Sequence, residues 1–117
     1  MSDERRGDER FLTCVAASVE HDASRARSAL IEDISVSGAR LLTRARVEPE
    51  HAVRLDIRLS NDGIVMHVDA RVVRVEAVNN PMWTRRVAVV FDELATQYEE
   101  AFKTLAAQRA LSGIDGP

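Results

Sequence analysis

Apolar residues alternate with polar ones along most of this chain, and this spacing constrains the fold more than any other feature. The clearest run is Val53-Arg-Leu-Asp-Ile-Arg-Leu59, and the Asn61-Asp62-Gly63 that follows is typical of a tight hairpin. A period of two places the apolar side chains on one face of a strand. The pattern predicts about six short strands, near Phe11–Val19, Ser28–Ile34, Ala39–Thr43, Val53–Leu59, Ile64–Val75 and Val87–Phe91.

The fifth of these runs changes register along its length. Ile64, Met66, Val68, Ala70 and Val72 share one face, and the apolar positions then slip by one residue to Val73 and Val75. A slip of one residue in a strand indicates a bulge or a sharp bend, which a curling sheet needs.

The periodicity becomes helical after Phe91. Apolar residues then recur at helical spacing, at Leu94, Tyr98, Ala101, Phe102 and Leu105. Thr96-Gln-Tyr-Glu99 has the form of a capping box with Thr96 as the N-cap, and Ser112-Gly113 is a stop signal. The fold class we expect is mainly β, a small six-stranded antiparallel β-barrel with one C-terminal α-helix.

The size and composition fit one domain. The chain has 117 residues, of which 45% are hydrophobic, enough for one core and too few for two. We expect a flexible arm over residues 1–10, a barrel with its helix over residues 11–111, and a frayed tail over residues 112–117.

Several functional classes are disfavoured. No apolar stretch is long enough to cross a membrane, no signal core follows the charged N-terminus, and one cysteine excludes an internal disulfide. We therefore expect a cytoplasmic protein with no membrane insertion. The net charge of −3 argues against a general binder of DNA or RNA, which needs a positive field.

No catalytic or metal-binding constellation is found in the sequence. His21, His51 and His67 stand at no recognisable ligand spacing, so we interpret them as ordinary surface or edge histidines. Cys14 falls in the first predicted strand and is interpreted as a small buried apolar residue. We expect no enzyme activity, no metal and no cofactor.

Two short patterns carry more information. Arg6-Gly-Asp-Glu-Arg10, preceded by Arg5, places two arginines four residues apart, but about two such matches arise by chance in a chain this rich in arginine. Asp33-Ile-Ser-Val-Ser-Gly38 is rarer, with about 0.03 matches expected by chance. Its serine and aspartate could form a plain turn whose side chains cap their own backbone. Alternatively, both side chains could project from one face of the strand towards a ligand, while Gly38, which is able to take a left-handed conformation, lets the backbone turn and approach that ligand closely.

Together these patterns resemble the PilZ domain, the bacterial receptor domain for cyclic di-GMP. The resemblance extends over nearly the whole chain, including a closing Arg86-Val-Ala-Val-Val-Phe91 strand before a helix. Ala88 stands where the family usually has glycine, a mild departure that concerns packing.

The resemblance implies a ligand site for cyclic di-GMP. It assigns Arg6 and Arg10 to the guanines and phosphates, with Arg5 as an auxiliary. Asp33 would accept hydrogen bonds from guanine N1–H and N2–H₂, Ser35 would donate its hydroxyl or backbone N–H, and Gly38 would keep the wall free of a Cβ. Trp83 could flank the site as a stacking surface, or it could pack against the barrel.

Three functional hypotheses follow. The leading one is a non-enzymatic cyclic di-GMP receptor that orders its N-terminal arm and so presents a changed surface to an unidentified downstream protein. The alternative is a PilZ-fold adaptor that binds a partner protein and no nucleotide. A small barrel that binds single-stranded nucleic acid is disfavoured by the negative charge and the single tryptophan.

Overall fold

The computed structural model of the chain describes residues 8–22, 25–60 and 62–114. Within them, six antiparallel strands close into a barrel in the order β1-β2-β3-β6-β5-β4. This confirms the predicted fold class. The strands are β1 (Phe11–Glu20), β2 (Arg27–Ile34), β3 (Gly38–Thr43), β4 (Ala52–Arg58), β5 (Val65–Ala77) and β6 (Arg85–Phe91).

The alternating apolar residues form the core of the barrel. The inward residues of the clearest run, Val53, Leu55 and Ile57, are buried, and the charged residues between them are partly or fully exposed. Each large aliphatic side chain removed from water in this way contributes roughly 1.5–3 kcal/mol to folding. The barrel is therefore stabilised mainly by the residues that produce the period of two.

The predicted register slip in the fifth strand is confirmed, with a correction to its detail. The pairing of β5 with β6 shifts between Val72 and Arg74. Val73 is the residue that the bulge turns outward, and it is 46% exposed, whereas Val75 packs against the core. Ile64, which we placed on the inward face, precedes the strand and is exposed.

The hairpin before β5 forms as its sequence predicts. Gly63 has a φ of 93°, a backbone conformation that favours glycine, and the Leu59 N–H donates to the carbonyl of Ile64 at 2.8 Å. Asn61 of this signal lies outside the described residues.

The C-terminal helix begins differently from the prediction. A short 3-10 helix, Thr96–Tyr98, leads into α1 (Glu99–Ile114). Ala95 precedes the first turn, and no side chain caps it, so the predicted capping box is wrong. The reason is that buried Ala95 donates its N–H to the carbonyl of Val36, which fixes the chain one residue before Thr96.

One face of α1 packs against the end of the barrel at which β1 begins. Phe102 is fully buried, and its ring centroid lies 6.2 Å from that of Phe11. Leu105 is also buried, whereas Leu94, which we assigned to the same stripe, is 64% exposed because it precedes the first turn. The helix ends at Ile114, one residue past the stop signal at Ser112-Gly113.

The histidines lie on the outside of the barrel. The rings of His21 and His51 stack with centroids 4.0 Å apart, and His67 Nδ1 is 2.6 Å from Asp56 Oδ1. Among the described residues, no group of three or more histidine, cysteine, aspartate or glutamate side chains is placed to hold a metal ion.

Candidate ligand-binding site

A β-bulge places the carboxylate of Asp33 among the arginines of the outer surface. The pairing of β2 with β3 shifts between Ile31 and Asp33, so that Glu32 is an extra residue in the ladder. Strict alternation after Ile31 would have turned Asp33 into the apolar core, and instead Ile34 takes the next inward position. The backbone of Asp33 is directly opposite Leu12 on β1 and Arg40 on β3.

Two arginines hold the two oxygens of Asp33. Nε and Nη2 of Arg10 lie 3.0 and 2.6 Å from Oδ1, and Nε and Nη2 of Arg40 lie 2.7 and 2.6 Å from Oδ2. Arg10 is the last residue before β1, so this contact fastens the end of the N-terminal segment to the barrel. The second arginine of the Arg-x-x-x-Arg pattern thus meets the first residue of the Asp-x-Ser-x-x-Gly pattern.

The burial of these three side chains is unequal. The carboxylate of Asp33 is only 2% exposed, whereas the side chains of Arg10 and Arg40 are 48% and 52% exposed. A buried carboxylate is stable only when it is paired and hydrogen-bonded, and these contacts meet that requirement. The guanidinium groups cover Asp33 on one side and still face solvent on the other.

A second charged group lies beside the first on the same surface. Nε and Nη2 of Arg86 on β6 donate to the two carboxylate oxygens of Glu32 at 2.6 and 3.1 Å, and Nη1 donates to Glu76 at 3.4 Å. The hydrogen bonds that Arg86 donates to Glu32 raise the pKa of Arg86 above its usual value. Arg86 therefore stays charged, and its fork is fixed in direction.

These groups border a cleft of about 330 Å³ on the outside of the barrel. Leu12 and Leu30 provide apolar surface within it, and charged side chains surround them. Apolar surface bordered by planar guanidinium groups suits a flat base that carries phosphate. The lining residues are Leu12, Thr13, Cys14, Leu30, Glu32, Asp33, Arg40, Arg86 and Arg109.

Cys14 lines this cleft, so the prediction that it is a buried apolar residue is wrong. It is exposed because it follows the inward residue Thr13 and takes the outward position. The pairing of β1 with β2 also shifts between Leu12 and Val15, so the surface of β1 at Cys14 is irregular.

Ser35 uses its polar groups within the turn between β2 and β3. Its N–H donates to the carbonyl of Gly38 at 2.8 Å, and its Oγ accepts from the N–H of Ser37 at 3.3 Å. The turn is further held by its own carbonyls, because those of Ser37 and Val36 accept from Phe91 and Ala95 at 2.8 Å each. The turn is thereby joined to the end of β6 and to the entry of α1.

Gly38 is required by packing in this structure. A Cβ at Gly38 would lie 2.3 Å from the backbone oxygen of Val89 on β6, too close for any side chain. Among the described glycines only Gly63 has a positive φ, so Gly38 does not take the left-handed conformation that is open to it. The space beside Gly38 is filled by β6.

The other predicted site residues are placed as follows. Arg5 and Arg6 lie outside the described residues. Trp83 is half-buried in the loop between β5 and β6 and does not line the cleft.

Sequence analysis missed several residues of the cleft. Arg40 was not singled out, because its contact with Asp33 depends on the bulge in β2. Arg86 and Glu32 are 54 residues apart in sequence, and Arg109 reaches the cleft from the helix. One available signal was that Arg40 follows Gly38 by two residues at the start of a strand.

The comparison with protein families decides the classification. The model of the PilZ domain matches residues 4–108. The chain belongs to the PilZ family. A PilZ domain is the fold expected from the two patterns and from the closing strand.

Several solved structures have the same fold. The PilZ domain of YcgR from Escherichia coli with c-di-GMP is 14% identical with a TM-score of 0.75, covering 97% of this chain and 99% of that one. The motility inhibitor MotI/DgrA from Bacillus subtilis is 19% identical with a TM-score of 0.69, covering 92% of this chain and 52% of that one. The MrkH–c-di-GMP complex of K. pneumonia is 16% identical with a TM-score of 0.61, covering 95% and 54%.

No curated protein matches the sequence closely. In the part of the chain that the structure describes, neither the 3-10 turn nor α1 is long and apolar enough to cross a membrane.

Proposed function

We propose that this PilZ domain is a non-enzymatic receptor for cyclic di-GMP. The ligand binds in the cleft beside Asp33. The observation that carries the proposal is the contact of Arg10 with Asp33, which brings the two sequence patterns together at an open cleft. The YcgR and MrkH structures, described as c-di-GMP complexes, support the choice of ligand.

The chemistry of the cleft suits this ligand. Cyclic di-GMP presents two guanines and two phosphates, and an arginine fork can contact guanine O6 and N7 or pair with phosphate oxygens. Arg10 and Arg40 are half-exposed and fixed in direction by Asp33, so their free edges are available. Arg5 and Arg6 extend the set of arginines on the N-terminal segment.

Asp33 takes part by exchanging partners. Its oxygens already accept from two arginines, which leaves little capacity for a guanine. The ligand therefore replaces the Arg40 fork at Oδ2 with guanine N1–H and N2–H₂, and Arg40 turns to a phosphate. Ser35 and Gly38 act by fixing the turn and its packing against β6.

The output of binding is a changed surface. Residues 1–10 are mostly charged and contain nothing apolar beyond Met1, and Arg10 is already fastened to the barrel by Asp33. Ligand contacts with Arg5 and Arg6 therefore supply the energy that orders the rest of the segment on the barrel. A downstream protein then recognises the covered cleft together with the ordered segment.

One observation favours the adaptor alternative. The four close contacts of Asp33 are complete without a ligand, so the two patterns could serve to fasten the N-terminal segment to the barrel. In that case the protein would bind a partner protein and no nucleotide.

Isothermal titration calorimetry with cyclic di-GMP separates the two functions. We expect saturable heat for the wild type and a Kd about 10- to 150-fold weaker for Arg10→Ala, which loses a charge-assisted contact of roughly 1.5–3 kcal/mol. Arg54→Ala is the matched control, because Arg54 is exposed and pairs only with exposed Asp69 among the described residues. The absence of heat with the folded wild type would favour the adaptor.

A further inference from the structure

The face of α1 that packs on the barrel ends in an arginine. Phe102, Leu105 and Arg109 are spaced by three and four residues, which puts them on one side of a helix. Phe102 and Leu105 are buried against the barrel, and Arg109 continues the same side where it becomes exposed. Arg109 there lines the cleft that contains Asp33 and Arg40.

Arg109 differs from the other two arginines that line this cleft. Arg40 is bound to Asp33, which also binds Arg10, and Arg86 is bound to Glu32. Arg109 makes no hydrogen bond or ion pair with any group in the described part of the chain. A ligand anion can therefore bind Arg109 without breaking an existing contact.

The helix is also tied to the turn of the Asp-x-Ser-x-x-Gly pattern. The N–H of Ala95, directly before the 3-10 turn, donates to the carbonyl of Val36 at 2.8 Å. The start of the helical region is thus bonded to that turn. Arg109, near the other end of the helix, lines the cleft that contains Asp33. A ligand bound between Arg109 and the strands would bridge the helix and the barrel.

We propose that Arg109 is a ligand-binding residue of this site, contacting a phosphate of the cyclic dinucleotide from the helix side. This rests on the proposed function and adds a contact from α1 to those from the N-terminal segment and from β2 and β3. The consequence is that ligand binding restrains the C-terminal helix, so the surface of α1 becomes part of what a partner recognises.

The test is calorimetry with cyclic di-GMP on the full chain. Arg109→Ala should weaken the Kd about 10-fold or more, as expected for a lost charge-assisted contact. Lys103→Ala is the matched control, since it removes one positive charge from the same helix at an exposed position outside the cleft, and it should stay within about twofold. Equal melting temperatures would show that both variants are folded.

Cys14 gives a second, independent measurement. It is the single cysteine of the chain, it is exposed, and it lines the same cleft as Arg109. Saturating cyclic di-GMP should slow the reaction of its thiol with a maleimide, in proportion to occupancy. Arg109→Ala should need correspondingly more ligand for the same protection.

The outcomes distinguish this inference from the function on which it rests. Wild-type binding with an unchanged Kd for Arg109→Ala overturns the role of Arg109 and leaves the receptor function standing. Wild-type binding with no protection of Cys14 places the ligand elsewhere and overturns the inference as well. No binding by the wild type contradicts the proposed function itself, and the role of Arg109 falls with it.

Discussion

At the scale of single residues, the site is organised around the carboxylate of Asp33. Its side chain is nearly inaccessible, and the groups that cover it include the two arginines that bind it. Removing the carboxylate would therefore leave two adjacent guanidinium groups without their counter-charge. The same change would remove the acceptor that we assign to guanine.

Asp33→Ala should lower both stability and base selectivity. We expect a loss of about 1–3 kcal/mol in the free energy of unfolding, because the hydrogen bonds from both arginines are lost. The loss is limited because both arginines can turn to water once released. Asp69→Ala, which breaks an exposed pair with Arg54, should change stability by less than about 1 kcal/mol. Thermal unfolding of both variants measures the difference.

The selectivity of Asp33→Ala identifies the role of the carboxylate. If Asp33 accepts from guanine N1–H and N2–H₂, the variant should lose more affinity for cyclic di-GMP than for cyclic di-AMP, since adenine offers a different edge. Calorimetry with both dinucleotides gives the ratio. An equal loss for the two would mean that Asp33 only positions the arginines.

Gly38→Ala should destabilise the protein in the absence of any ligand. The new Cβ would meet the backbone oxygen of Val89 at 2.3 Å, and backbone must shift to relieve the contact. Overpacking of this kind costs about 1–3 kcal/mol or more. A variant as stable as the wild type that no longer binds would instead return Gly38 to a role in the ligand wall.

At the scale of elements, alternation in the sequence was sufficient to predict the strands and the barrel. It could not place Asp33, whose orientation depends on an extra residue in β2 opposite β3. The sequence showed the comparable bulge in β5, because there the apolar register visibly slips. The apolar register also slips at Glu32, from Ile31 to Ile34, but Leu30 is apolar as well and the strand ends at Ile34, so the slip is not visible in the pattern.

The start of the helix shows a second limit of local sequence signals. Thr96 and Glu99 have the spacing of a capping box, but a backbone hydrogen bond from Ala95 to Val36 sets where the first turn begins. This bond joins residues 59 positions apart, so no local pattern reveals it. Local patterns do not place Arg109 in the site either, since its position depends on how α1 packs on the barrel.

Phe102→Ala should show that α1 is part of the folded domain. Phe102 is fully buried against Phe11 and the rest of the core, so its truncation should cost about 3–5 kcal/mol. Leu111→Ala, at a 65% exposed position on the same helix, should have little effect. Chemical denaturation compares the two, and equal stabilities would mean that the helix is an independent appendage.

At the scale of the whole molecule, the two sides of the barrel differ in charge. The arginine-lined cleft lies on the β1–β2–β3 side, whereas a second cleft, bordered by Asp69, Asp92 and Glu93, lies beside β5. β2 and β5 are three strands apart in either direction around the barrel. The overall charge of −3 therefore conceals a local site suited to an anionic ligand.

Hydrogen exchange with and without saturating cyclic di-GMP tests the central claim most directly, because it locates the ligand on the chain. We predict slower exchange in residues 5–11, in residues 33–38 and in α1 around Arg109, with β4 unchanged. Slower exchange centred on the acidic cleft beside β5, or none in residues 5–11 and 33–38 despite saturation, would contradict the account.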